Sequence, residues 1–262
     1  LLPNELNTSN NPANDTGINS LYSMDFDGNV SKRSINLGII SEINGLTSFS
    51  ISLWINPFFG TPLVGQLVFG NRDVSNSYRG VAFELGIRAS SNSAFYITSS
   101  TGSTAITIPA DTFTENAWNH TVFTYDGNTA IAYVNNVNVA SSSVSGATLS
   151  STAEFFRGRG YSATNLYAKG KIDEFSIFNR ALDSTEIAAL YGGISPNIYP
   201  SNLMAADLNP LAYYPLGEQA QMQGYLGNEA SSEWQFPNGV LQDYVMDFDG
   251  TDNIDTLSTS LN

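Results

Sequence analysis

Few side chains in this sequence could do chemistry, and their spacing limits what that chemistry is. Asp173 stands in Ile172-Asp-Glu-Phe-Ser-Ile-Phe178, where alternation gives it the parity of Phe175 and Ile177. A carboxylate on a buried strand face needs a cation or several hydrogen-bond donors. Asp173 is therefore the first candidate, as a metal ligand or as an acceptor of backbone N–H groups. Asp27, in the turn after Phe26, could approach it if the first and last strands are neighbours. His120, the single histidine, lies between Trp118 and Val122 on an alternating segment and reads as a packed strand residue. A Ser–His–Asp centre would have to use it, yet no Gly-x-Ser-x-Gly turn is present. The absence of cysteine excludes thiolate metal sites, cysteine nucleophiles and a disulfide framework.

Two groups of loop residues carry the types that grip sugars, through forked hydrogen bonds and ring stacking. One is Asn71 and Arg72 with Tyr78; the other is Arg157 and Arg159 with Tyr161. Neither has a diagnostic spacing, and ordinary loop composition is the competing reading. Asn7, Asn14, Asn29 and Asn119 each open an Asn-x-Ser/Thr sequon, which matters only where the host glycosylates.

The elements that must position these residues are strands. Phe49-Ser-Ile-Ser-Leu-Trp-Ile55 alternates at period two, as do segments 81–87, 119–125 and 130–137. Asp126-Gly127 is a hairpin signal and Asn135-Asn136 a further turn. Charged residues make up only 13% of the 262, against the ~25% usual for globular chains, with Ser, Thr, Asn and Gly supplying the polarity. That composition suits short strands and turns rather than exposed helices. One helix is expected over Leu182–Tyr191, with Asp183 as N-cap, Glu186 as its capping-box partner and Gly192-Gly193 as the stop. The prediction is an all-β fold, an antiparallel β-sandwich with one short helix near the end of the domain, which the resemblance described below narrows to a jelly roll.

A net charge of −14 repels phosphate backbones and anionic membranes, so nucleic acid is not an expected partner. No apolar run approaches the ~18–20 residues that span a bilayer, so direct membrane insertion is not expected either.

Met24-Asp-Phe-Asp-Gly28 recurs as Met246-Asp-Phe-Asp-Gly250, and the offset, 246 minus 24, is 222 residues. Such a period fits tandem domains rather than a solenoid. The expected organisation is an arm or linker over 1–20, a jelly roll over 21–194, a Pro- and Asn-rich linker over 195–210, and the opening strands of a second repeat over 211–262. Those opening strands are expected to pair with the first domain or to complete a neighbouring copy by strand exchange, with a small independent cap as the competing reading.

The order of motifs resembles a laminin-G-like, pentraxin/concanavalin-A-like jelly roll. Met24–Gly28 resembles that family's opening turn, and Phe49–Ile55 its Phe-Ser-Ile-Ser-x-Trp-Ile strand. Trp118-Asn-His-Thr-Val-Phe-Thr-Tyr-Asp-Gly127 resembles its Trp-x-His strand and turn. Tyr133-Val-Asn-Asn136 has Asn136 where the family has glycine, and Gly170–Leu182 resembles its closing strand. Leu211-Ala-Tyr-Tyr-Pro-Leu-Gly217 resembles the family's first strand but belongs to the second copy. The resemblance implies a structural Ca²⁺, with Asp27 and Asp173 as its candidate carboxylates. Concanavalin-like glycosidases usually carry Glu-x-Asp-x-Glu on one strand, and no such run occurs here. The expected function is a non-catalytic extracellular binding or adhesion module, at a cell or virion surface, taking a glycan or a surface protein. An architectural subunit of a virion fibre, capsid decoration or cell-surface filament is the alternative, and a glycoside hydrolase the third.

Overall fold

The structure, a computed structural model, describes residues 23–27, 35–60, 65–72, 79–99, 102–144, 146, 153, 155–157, 168–192, 196, 206–214 and 216. The expected arm over 1–20, most of the linker and everything after 216, including the second Met-Asp-Phe-Asp-Gly, lie outside the described residues.

Two antiparallel sheets form the sandwich. The first runs β1 (Met24–Asp27), β12 (Lys169–Phe178), β3 (Phe49–Pro57), β8 (Asn119–Tyr125), β9 (Thr129–Val134) and β10 (Val137–Ser143). A short strand, β13 (Ala212–Tyr214), also pairs with β12. The second sheet runs β2 (Ile35–Asn36), β11 (Phe156–Arg157), β4 (Gln66–Gly70), β5 (Gly80–Leu85), β6 (Ser93–Ser99) and β7 (Gly102–Ile108). The jelly-roll expectation therefore holds.

Alternation explains the main core. Phe49, Ile51, Leu53 and Ile55 of β3, with Phe123 of β8 beside them, face Phe69, Phe83 and Phe95 of the second sheet, all within one apolar cluster. Phe69 sits among five other rings, with Phe175 nearest at 5.5 Å between centroids, and Phe95 stacks on Phe123 at 4.2 Å.

The other face of the first sheet is covered as well. Trp54, Val122, Phe178 and Tyr213 pack there against Leu182, Ile187 and Leu190 of the segment carrying α1 (Ser184–Tyr191). Small serines let that layer sit close: Ser50 donates to the Arg180 carbonyl at 2.9 Å and accepts from the Leu182 N–H at 2.9 Å. The helix begins as expected. Asp183 accepts from Thr185 N and Glu186 N, Glu186 returns to Asp183 N, and Gly192 closes it in the left-handed region.

The hairpin signals also hold. Asp126 accepts the N–H groups of Asn128 and Thr129 in the β8–β9 turn, and those bonds, Thr129's first, hold its carboxyl below the ordinary range. Asn135 and Asn136 take φ of 50° and 64°, the left-handed pair of a two-residue hairpin. The expected strand over 130–137 is thus split, and Val137 opens β10. The β6–β7 hairpin was not anticipated, although Ser93-Ala-Phe-Tyr-Ile-Thr-Ser99 alternates as clearly as β3 does.

Candidate functional site

Parity on the second sheet separates inward from outward residues. Phe83 and Leu85, Phe95 and Ile97, and Ile106 and Ile108 are core, so Glu84, Tyr96, Ala105 and Thr107 point outward. The register lines up Phe156, Gly70, Ala82, Tyr96 and Ala105 in one row across β11, β4, β5, β6 and β7. Glu84 stands opposite Ala94, diagonal to Tyr96.

Arg72, just past β4, closes this group. Its guanidinium carbon lies 5.1 Å from the centre of the Tyr96 ring, a cation–π contact. The Tyr96 hydroxyl hydrogen-bonds Glu84, whose carboxyl is raised above the usual range by burial, against the opposing pull of Arg72 and of that hydrogen bond. An aromatic face, a forked donor and a carboxylate acceptor, all part-exposed on a rigid sheet, make a surface that can stack on and hydrogen-bond a polyhydroxyl ligand. Arg72 is one of the residues the sequence nominates, and its contact with Tyr96 is what the structure adds. Tyr96 and Glu84 were missed because weight fell on loops, and the alternation of β6 was the signal that would have found them.

Asn71 has a positioning task. Its Oδ1 accepts from Val81 N at 2.9 Å and its own N–H donates to Val81 O at 3.0 Å, pinning the base of the β4–β5 connection. Gly80 opposite is at φ +121°, and a Cβ there would lie 2.6 Å from the Asn71 carbonyl oxygen, so the approach requires glycine. Arg157 lies in β11 opposite Phe69, one position off the Tyr96 row. Tyr78, Arg159 and Tyr161 lie outside the described residues.

The expected pairing of Asp27 with Asp173 needs correction. A bulge between Asp173 and Ser176 resets the parity of β12: Phe175 and Ile177 face the main core, while Asp173 stands opposite Trp54, on the face beneath α1. Glu174 takes φ 52° in the bulge, and its N–H donates to Asp173 Oδ1 at 2.9 Å. Asp27 pairs with Lys169, four residues or roughly 13 Å along β12 from Asp173. The backbone register alone does not bring the two positions together. Among the described residues no cluster of three or more acids and histidine could hold a metal, so these residues do not fit a shared calcium ion, which wants six to eight oxygens.

Ser52 Oγ lies 2.9 Å from His120 Nε2, the spacing of a nucleophile and its base. Both are sealed: Ser52 is 0% and His120 1% exposed, with the imidazole beside the Trp54 and Tyr191 rings, which also stack on each other. Burial lowers the His120 pKa to about 3. No substrate carbonyl can reach that hydroxyl, and the pair is a core hydrogen bond. Asn119 is likewise buried, its amide donating to Thr114 O and Ala117 O, so this sequon is closed to modification in the folded state.

A family profile, Laminin_G_3, described as the concanavalin A-like lectin/glucanases superfamily, matches residues 29–188. No curated protein matches the chain. Among solved structures, the CBM40 of the Ruminococcus gnavus IT-sialidase, bound to α2,3-sialyllactose, superposes with a TM-score of 0.53 at 11% identity, covering 66% of this chain and 100% of that one. A putative carbohydrate binding protein from Bacteroides ovatus gives 0.52 at 17% identity, covering 87% of this chain and 56% of that one. The heptameric SAP-like pentraxin of Limulus polyphemus gives 0.51 at 12% identity, covering 64% and 81%. Identities this low speak for a shared fold alone.

Proposed function

Given that the chain belongs to the Laminin_G_3 family of the concanavalin A-like lectin/glucanases superfamily, we propose that it is a non-catalytic glycan-binding module of a larger extracellular, cell-surface or virion-surface protein. Its contact face is the outward side of the second sheet. The observation that carries this reading is Arg72 lying over the Tyr96 ring with Glu84 hydrogen-bonded beside it. The carbohydrate-binding descriptions of two structural neighbours support it. A surface glycoprotein would present the same chemistry through its sugars. Neighbouring copies of the repeat are a second class of partner. No helix among the described residues is long and apolar enough to cross a membrane.

The test is a glycan array probed with the whole chain and with Tyr96→Ala. Loss of the stacking ring should weaken binding to any retained glycan about tenfold, equal to about 1.4 kcal/mol, while the unfolding midpoint stays within about 2 °C. Equal binding by parent and variant, or sugar release from polysaccharide, overturns the proposal.

A further inference from the structure

β12 offers one edge to two different strands. β1 pairs with Lys169–Ile172, and β13 pairs with Phe175–Ile177, on either side of the Glu174 bulge. β1 belongs to the first copy of the Met-Asp-Phe-Asp-Gly repeat. β13 follows the closing helix and precedes the second copy of that motif at Met246, so by sequence it opens the next repeat. In this chain, then, the edge of β12 is completed by a strand that the sequence repeat assigns to the following unit.

The docking is specific. Leu211 N–H donates to Ile177 O at 2.6 Å, Ala212 and Leu216 enter the main core, and Leu208 and Tyr213 enter the layer under α1. Tyr213 is fully buried, and its hydroxyl donates to the Glu174 carboxylate, which the bulge turns toward it. A backbone ladder alone would accept many sequences, whereas a buried carboxylate left without its donor is costly.

We propose that this edge of β12 is a receptor for the opening strand of the following repeat, with Glu174 reading Tyr213, so that successive repeats are interlocked in series by one shared strand. The partner is a copy of segment 206–216. The arrangement is heterologous, since the donor strand and the acceptor edge are different surfaces, and it propagates along a chain of repeats.

The chain contains no cysteine, so an engineered pair reports unambiguously. Ile177 and Ala212 are cross-strand partners, a separation a disulfide can bridge. The whole chain carrying I177C and A212C should form an intrachain disulfide under mild oxidation; a folded protein with two free thiols overturns the proposal. In a second arm, Tyr213→Ala should lower the unfolding midpoint by at least about 6 °C. A synthetic peptide of residues 206–217 should restore part of that loss, and the same peptide with phenylalanine at position 213 should restore less. An unchanged midpoint, or equal rescue by the two peptides, overturns the reading of Tyr213 by Glu174. If Tyr213→Ala does not fold, the disulfide arm decides alone.

Discussion

At residue scale, the Tyr96 ring does two things that cannot be exchanged for another apolar side chain. Its face supports the Arg72 guanidinium, and its hydroxyl restrains Glu84. Replacing Arg72 by Lys keeps the charge but removes the planar fork. Arg72→Lys is expected to weaken glycan binding several-fold with little change in stability, measured by titration calorimetry and thermal unfolding on the same preparation. His120 gives a second expectation. Its folded-state value of about 3 lies far below the ordinary 6.5, so an unfolded chain takes up a proton that the folded one refuses. The stabilisation is intact above pH 6.5 and erodes as pH falls toward 3, by at most about 1.4 kcal/mol per unit. His120→Gln should flatten that slope in urea unfolding followed between pH 7 and 4; an unaltered slope would assign the acid sensitivity elsewhere. Sequence nominates Arg72 because a loop arginine beside Asn71 is of a type that can grip sugars. It misplaced Asp173 because a bulge changes parity without any glycine to announce it.

At the scale of elements, turn and cap chemistry was readable to the residue. Asp183, Asp126-Gly127 and Asn135-Asn136 sit where their side chains or positive φ are required. Asp183→Ala removes acceptors for two helix N–H groups and should cost about 1 kcal/mol in urea unfolding. The exposed Arg180–Glu186 pair at 2.7 Å should contribute only about 0.5 kcal/mol, and Arg180→Ala tests that contrast. Asn135 and Asn136 share a backbone region but not a task, because Asn135 Oδ1 also accepts from His120 N at 2.9 Å. Asn136→Gly should be neutral or mildly stabilising, while Asn135→Gly should lose about 1 kcal/mol. What the sequence hid at this scale was the β6–β7 hairpin, whose connection carries no Asn-Gly or Asp-Gly signal.

For the whole molecule, legibility was greatest for the two-sheet architecture. Alternation in β3 and β8 requires a partner layer, and the phenylalanines of β4, β5 and β6 supply it. The calcium expectation came from resemblance, and the register sets Asp27 opposite Lys169 rather than beside Asp173. Adding EDTA is therefore expected to leave the unfolding midpoint unchanged, and a fall of more than about 3 °C would place a stabilising ion in the loops. A chain carrying −14 should also keep its grip on a neutral glycan at raised ionic strength and show no retention on heparin.

Among the described residues, α1 covers the Trp54 and Val122 side of the first sheet, while Glu84, Tyr96 and Thr107 on the outward side of the second keep solvent exposure. Those three positions alternate along their strands with phenylalanine and isoleucine that never meet solvent. Changes at the former need not disturb the latter. Substitutions that retune the proposed contact face are therefore expected to leave the inner rings, and the ability to fold, undisturbed.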